Sequence, residues 1–127
     1  MYLYAGGLGE AWNWPHAGVS EVANDLNGYL VNFYKVLRDE AAFRALKRLL
    51  AATPFARDEW KGADRLMRAA MATHPPERTG GTLAGPNVGL AHAFFIWNRQ
   101  SMAGRMEDFS PLTKTRTRGG RNAEVNA

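Results

Sequence analysis

The spacing of apolar residues changes near residue 28, and this change predicts where the chain passes from strand to helix. Between Val19 and Ala23 apolar residues alternate over a short run, which is typical of the end of a strand. The run from Asn24 to Gly28 combines side chains that hydrogen-bond their own backbone with a glycine, and this composition predicts a turn. From Tyr29 onward the apolar period is 3.6 residues, so a helix begins there.

Four helices are predicted from the same periodicity and from the residues that start and stop helices. A proline at position 54 ends the second helix, and acids at positions 58 and 59 favour the start of the third through the helix dipole. The third helix has a thin apolar face, so we expect it to pack across another helix rather than to lie in a core. The predicted ranges are about Gly28–Arg38, Glu40–Ala52, Arg57–Thr73 and Val88–Met102.

Four consecutive polar residues, Asn98 to Ser101, close the fourth helix. Such a run is either a solvated C-terminal turn or part of a site, and spacing alone slightly favours the solvated turn. From Ala103 to the end there is no sustained period, which indicates a loop or an extended segment.

Asp25 is the first candidate for a functional side chain. It follows the predicted strand directly, and an acid at the tip of a strand in an open α/β sheet can accept hydrogen bonds from a ribose. A cluster of Gly6, Gly7 and Gly9 follows another β-prone run and precedes Asp25 by sixteen positions, close to the spacing in a dinucleotide-type crossover unit. The alternatives are a simple glycine turn and, for Asp25, a helix N-cap, which is compatible with ribose binding.

Length and composition indicate one packed domain. The chain has 127 residues, of which 46% are apolar, and it has no cysteine, which excludes disulfides and fits a reducing cytoplasm. We expect no signal peptide and no membrane span, because no apolar run approaches roughly 18 residues.

The positive charge is concentrated at the end of the chain. After Pro111 four basic residues face one acidic residue, and the rest of the chain is nearly neutral. A concentrated basic segment fits an anionic partner such as nucleic acid, although a solvated basic tail is an equally good interpretation. The four cations are Lys114, Arg116, Arg118 and Arg121.

Several chemistries lack their sequence signatures. His16, His74 and His92 have no partner spacing that suits a metal, so we expect no metal site and interpret these residues as structural or solvated. The chain has no G-x-S-x-G elbow, and Gly80-Gly81 lacks the lysine of a P-loop.

Four blocks, read in order, resemble the Dam-like family of adenine-specific DNA methyltransferases, in particular its phage-type members. They are the glycine turn, NDLNGYLVNFYKVLRD from residue 24, TPFARDEW from residue 53 and FFIWNRQSMAG from residue 94. The resemblance extends over nearly all of the chain. It implies an α/β fold, with a partial Rossmann-like S-adenosylmethionine-binding core followed by a mostly helical DNA-recognition region.

The resemblance also implies roles for individual residues. Gly6, Gly7 and Gly9 are similar to the family's first S-adenosylmethionine motif, and Asp25 is similar to the aspartate of the second, which holds the ribose hydroxyls. The expected cofactor is S-adenosylmethionine and the expected partner is double-stranded DNA, with the four C-terminal cations near its phosphates.

Two features of the family are missing from this sequence. No glycine-glycine-lysine segment precedes the first motif, and no Asp-Pro-Pro-Tyr type motif is present, since Pro75-Pro76 lacks the flanking groups. Methyl transfer to adenine N6 needs an extruded base stacked on an aromatic ring and an amino group held by a carboxylate or amide. We therefore expect a segment with no catalytic residue of its own, and a second polypeptide could carry the missing half.

The expected organisation has three parts: a partial cofactor-binding core at 1–39, a helical DNA-recognition region at 40–110 and a basic segment at 111–127. The alternative from another functional class is a small, non-catalytic helical DNA-binding module that binds no cofactor.

Overall fold

The computed structural model describes residues 2–3, 23–76, 83, 85–111, 117–118 and 121–122, with side chains for 25–76, 83 and 85–111. Four helices and four very short strands lie in this part of the chain. In order they are β1 (Tyr2–Leu3), β2 (Ala23–Asn24), α1 (Gly28–Arg38), α2 (Glu40–Ala52), α3 (Arg57–Thr73), α4 (Val88–Arg99), β3 (Thr117–Arg118) and β4 (Arg121–Asn122).

The predicted α/β fold with a Rossmann-like core is wrong. The described residues are mostly helical, and their strands form only two pairs of two residues each, β1 with β2 in parallel and β3 with β4 antiparallel. A two-residue pair offers too few ladder hydrogen bonds and too little apolar surface to carry a layered α/β core. The buried apolar residues of the described part come from the helices instead.

Side-chain caps explain where three of the helices begin. Asn27 accepts hydrogen bonds from the backbone N–H groups two and three residues later, at 3.0 and 3.3 Å, and so starts α1. Asp39 accepts the N–H of Ala42 at 2.8 Å, and Asn87 accepts the N–H of Leu90 at 2.9 Å. The predicted ranges of α1, α2 and α3 are confirmed, whereas α4 ends at Arg99 rather than at Met102.

Helix α4 is the centre of the fold, because it packs against α1, α2 and α3. Its buried face includes Ala91 and Ala93, whose small side chains allow the neighbouring helices to approach closely, together with Ile96 and Trp97. Two clusters of buried side chains result. One combines Tyr29, Trp60, Ala63, Met67, Ala93, Ile96 and Trp97, and the other combines Val36, Ala42, Leu46 and Ala91.

Helix α3 packs across α4 as expected, but it also contributes to the core despite its thin apolar face, so the expectation that it would not lie in a core is wrong. Trp60 and Met67 are 6% and 0% exposed, and their size compensates for the small number of apolar positions. The indole Nε1 of Trp60 donates to the backbone oxygen of Trp97 at 3.2 Å, and that of Trp97 donates to Asp64 at 2.8 Å. Polar partners therefore accompany both buried indoles.

A buried amide joins α1 to the start of α4. Asn32 is 1% exposed, its Nδ2 donates to the backbone oxygen of Asn87 at 2.9 Å, and its Oδ1 accepts the Asn87 N–H at 2.8 Å. The Asn32 side chain thus both donates to and accepts from the backbone of Asn87, which lies 55 positions later in the sequence. This pairing satisfies two backbone groups that precede the helix.

None of the helices in the described part has both the length and the apolar character that a membrane crossing requires.

Replacing Asn32 by alanine should lower the free energy of unfolding by about 1 to 3 kcal/mol, because the Asn87 N–H loses its acceptor and the Asn87 oxygen keeps only the Ala91 N–H. Urea unfolding followed by tryptophan fluorescence measures this loss. Arg65→Ala, at an exposed position of α3, is the matched control and should change the free energy by no more than about 0.5 kcal/mol. An equally small effect of Asn32→Ala would show that the pairing does not hold α4 in place.

A second polar contact, between α2 and α4, predicts how stability depends on pH. The hydroxyl of Thr53 donates to the backbone oxygen of Leu49 at 2.8 Å and lies 2.7 Å from Nε2 of His92. Since the single hydroxyl proton is used, Thr53 accepts a hydrogen bond from Nε2–H of the imidazole. Burial lowers the pKa of His92 from its usual 6.5, and the charge of Glu59 opposes this shift in part.

The free energy of unfolding should therefore decrease as the pH falls below 6.5. Above that pH His92 is neutral in both states, whereas below it the unfolded chain takes up the proton first and is stabilised. His92→Gln keeps a donor for Thr53 but cannot titrate, so urea unfolding at pH 7.5 and 5 should show a flatter pH dependence. His74→Gln, at an exposed position, is the control and should keep the wild-type dependence. Identical pH profiles for His92→Gln and the wild type would contradict this role.

Candidate functional site

Asp25 lies in a hydrogen-bonded turn directly after β2. Its Oδ1 accepts the backbone N–H of Asn27 at 2.8 Å, and Asn27 in turn caps α1. The carboxylate is half-buried, and its negative charge adds to burial in raising the pKa of Tyr34. The turn thus fixes one carboxylate oxygen at the point where the strand becomes a helix.

The parallel pairing of β1 and β2 determines which chain segments share an edge with Asp25. Tyr2 pairs with Ala23 and Leu3 with Asn24, so the carboxyl ends of both strands lie at the same edge. Asp25 is the first residue after β2, and the glycine cluster begins three positions after β1 ends. Gly6, Gly7 and Gly9 themselves lie outside the described residues.

The predicted DNA-binding cations lie in the C-terminal segment. Lys114 and Arg116 are outside the described residues, whereas Arg118 and Arg121 occupy directly paired positions of the antiparallel strands β3 and β4.

Two of the blocks that carry the family resemblance contact each other. Nε2 of Gln100 donates to the backbone oxygen of Pro54 at 3.4 Å, and the rings of Phe55 and Phe109 lie 5.4 Å apart. The guanidinium of Arg57 lies 5.8 Å from the centre of the Phe109 ring, within the range of a cation–π contact. Residues about 45 positions apart in sequence therefore form one surface between α3 and the chain after α4.

The polar run that closes α4 is only partly solvated. Arg99 is exposed and Asn98 is half-buried, but Gln100 and Ser101 are 3% and 5% exposed, so a fully solvated turn is wrong for these two. Ser101 forms a bridge to Phe109, and the Ser110 N–H donates to the Gln100 backbone oxygen at 2.9 Å. The run thus begins a closed loop and does not simply end a helix.

Residues 102–108 form the strained tip of this loop. Ala103 and Met106 adopt positive φ angles of 52° and 60°, a region that residues with a Cβ rarely occupy. The Met102 N–H donates to the Asp108 backbone oxygen at 2.8 Å and closes the tip. Met102 is 49% exposed, and Arg105, Glu107 and Asp108 are exposed as well, so the loop presents an apolar side chain with one cation and two acids.

Sequence patterns did not identify this loop as a candidate site. The segment has no period, and the pairing of Ser101 with Phe109 is a contact between residues that pattern analysis treats separately. One available signal was Gly104, which has a φ of +69° and lies between the methionines at 102 and 106.

The described residues contain no group of three or more histidine, aspartate or glutamate side chains that could hold a metal ion.

No family model matches this chain, and no curated protein or solved structure is significantly similar to it. The resemblance to Dam-like methyltransferases thus stays a prediction from the sequence motifs.

Proposed function

We propose that the chain is a segment of an S-adenosylmethionine-dependent DNA methyltransferase that acts on adenine N6. It would hold part of the cofactor site and most of the DNA-recognition region. The observation that carries the proposal is the parallel pairing of β1 with β2, since the carboxyl ends of both strands lie at one edge. Asp25 follows one of these strands and the glycine cluster follows the other.

In this proposal Asp25 binds the ribose hydroxyls of the cofactor. An ionised carboxylate can accept several hydrogen bonds at once, so the bond to the Asn27 N–H does not by itself prevent Asp25 from holding a diol. The backbone at Gly6, Gly7 and Gly9 would approach the cofactor closely, because glycine has no Cβ in the way.

DNA is the proposed partner of the C-terminal part. Lys114, Arg116, Arg118 and Arg121 would contact duplex phosphates, which position a protein on DNA without reading its sequence. The lack of cysteine fits a cytoplasmic location for such a protein.

The methyl-transfer step itself needs groups that this sequence does not contain at a recognisable position. A carboxylate or amide and an aromatic ring must hold the extruded adenine so that its amino group faces the methyl donor. We propose that these groups come from an Asp-Pro-Pro-Tyr type motif outside these 127 residues, for example on a second polypeptide.

The second candidate is a non-catalytic helical DNA-binding module. The predominance of helices in the described part favours this function, because a helical module needs no cofactor-binding sheet. The basic segment likewise needs no cofactor to bind DNA. Binding of S-adenosylmethionine distinguishes the two candidates.

The purified chain should bind S-adenosylmethionine, and Asp25→Asn should weaken this binding on the order of tenfold, which is about 1.4 kcal/mol. Asparagine keeps an acceptor for the Asn27 N–H but loses the second carboxylate oxygen and the negative charge. Isothermal titration calorimetry measures both dissociation constants, with S-adenosylhomocysteine as a second ligand.

The control variant is Asp58→Asn, which changes an exposed acid in the first turn of α3 and should leave the affinity unchanged. Circular dichroism checks that all variants keep their helices. If wild type and Asp25→Asn bind the cofactor equally, Asp25 is not the ribose ligand. Duplex DNA binding without any binding of S-adenosylmethionine would favour the helical module.

The chain alone should transfer little or no methyl to DNA, because the groups that orient adenine are missing. Incubation with tritium-labelled S-adenosylmethionine and adenine-rich duplex DNA, followed by nucleoside analysis, tests this expectation. A complete adenine methyltransferase treated in parallel shows that the assay detects N6-methyladenine. Labelled N6-methyladenine made by the chain on its own would refute the idea that catalysis needs another segment.

A further inference from the structure

The corner between α1 and α2 borders a cavity of about 360 Å³, which we call the corner cavity. The end of α1 forms one wall, and the chain just before α4 forms the other. The lining residues are Lys35, Arg38, Asp39, Gly85 and Pro86. We propose that the corner cavity binds the phosphate group of a small phosphate monoester.

The wall at the corner is held in place by backbone and side-chain hydrogen bonds of a single residue. The N–H of Asp39 donates to the Lys35 backbone oxygen at 3.1 Å and ends α1. Its Oδ1 accepts the N–H of Ala42 at 2.8 Å and begins α2. One residue thus fixes the angle between the two helices, and with it the position of the cations at the end of α1.

The opposite wall is tied to α1 independently of any ligand. Gly85 and Pro86 directly precede Asn87, whose backbone pairs with the buried Asn32 side chain through bonds of 2.9 and 2.8 Å. Gly85 has a φ of +69°, and no heavy atom lies within 4 Å of the place where a Cβ would be. The backbone of both walls is therefore held in place without a ligand.

The charge of the lining favours an anion. Within the described part of the chain, neither Lys35 nor Arg38 takes part in an ion pair, and both are among the lining residues. Among the lining residues that the structure describes, Asp39 is the one acid, and one of its oxygens is engaged by the cap of α2. Two cations against one carboxylate leave an excess of one positive charge.

The two cations differ in a way that suits phosphate. The lysine ammonium is a compact charge and the arginine guanidinium is a planar fork of donors, and both form strong charge-assisted hydrogen bonds with phosphate oxygens. The end of α1 presents the negative pole of a helix dipole and the start of α2 presents the positive pole. Because these two poles oppose each other, the charged side chains determine the sign of the potential in the corner cavity. A phosphate monoester carries close to two negative charges at neutral pH, more than a carboxylate offers.

The corner cavity is open to solvent, because four of its lining residues, Arg38, Asp39, Gly85 and Pro86, are exposed. Its volume of about 360 Å³ leaves room for more than a bare ion. A phosphate group can occupy the basic wall, and the organic part can extend along Gly85 and Pro86. This site is separate from Asp25, so it does not depend on the proposed methyl-donor function.

Titration of the ¹⁵N-labelled chain with inorganic phosphate and then with glucose 6-phosphate, at constant ionic strength, tests the proposal by NMR. We expect saturable shifts of the amide signals of Arg38, Asp39 and Gly85. Arg38→Gln and Lys35→Gln should each weaken binding about tenfold, because each removes one charge-assisted contact. The control Lys61→Gln, at an exposed position of α3, should bind like the wild type.

Several outcomes would overturn the proposal. One is an equal response of the amide signals to sodium chloride or to unphosphorylated glucose. Another is an unchanged affinity for glucose 6-phosphate when Lys35→Gln and Arg38→Gln are combined in one chain. If duplex DNA displaces inorganic phosphate from the corner cavity but glucose 6-phosphate does not, a small monoester is excluded as the ligand. Should Lys35→Gln fail to fold, the exposed Arg38 still provides the test. Binding of S-adenosylmethionine by the Arg38→Gln variant should be unaffected, which separates this test from that of Asp25.

Discussion

The buried amide of Asn32 is the constraint on which the helical arrangement depends. Its side chain makes the same two hydrogen bonds, one donated and one accepted, that backbone groups of neighbouring strands make with each other, and the Asn32 side chain itself is buried. Helix α4 touches every other helix, so the position of its first turn determines how both buried clusters assemble. A polar contact thus sets the register, and apolar burial supplies most of the driving force.

The turn at Asp25 combines a folding role with the proposed binding role. The same carboxylate holds the turn that leads into α1 and lies after the strand that pairs with β1. A side chain ordered in this way loses little entropy when a ligand binds. The described part of the protein is nevertheless helical in its architecture, so the short parallel pair is a local feature and does not define the fold.

Local signals in the sequence were sufficient for the helices. Asn27, Asp39 and Asn87 mark three N-termini, and the period of 3.6 residues gives the lengths of α1, α2 and α3. The fold class was not predictable in the same way, because an alternating pattern shows that a strand can form but not how many residues will pair. The burial of Trp60 and Met67 was also missed, since side-chain size compensated for a narrow apolar stripe.

The sequence predicted only those parts of the candidate site that depend on contacts between residues close together in the chain. Asp25 was found because its neighbours form a turn that sequence patterns recognise, whereas the loop at 102–108 depends on the bridge from Ser101 to Phe109. Positive φ angles at Ala103 and Met106 leave no trace in the sequence, because neither residue type favours them. Long-range contacts and backbone strain are thus the parts of a site that need a structure.

The single residue between α1 and α2 limits how this protein can evolve in length. One amino acid inserted at Asp39 would rotate α2 by about 100° about its axis relative to α1. Leu46, now 1% exposed, would leave the core, and the much smaller Ala45 would take its place. Insertions and deletions between related chains should therefore be absent from this junction and should accumulate in connections that do not fix the phase of a helix.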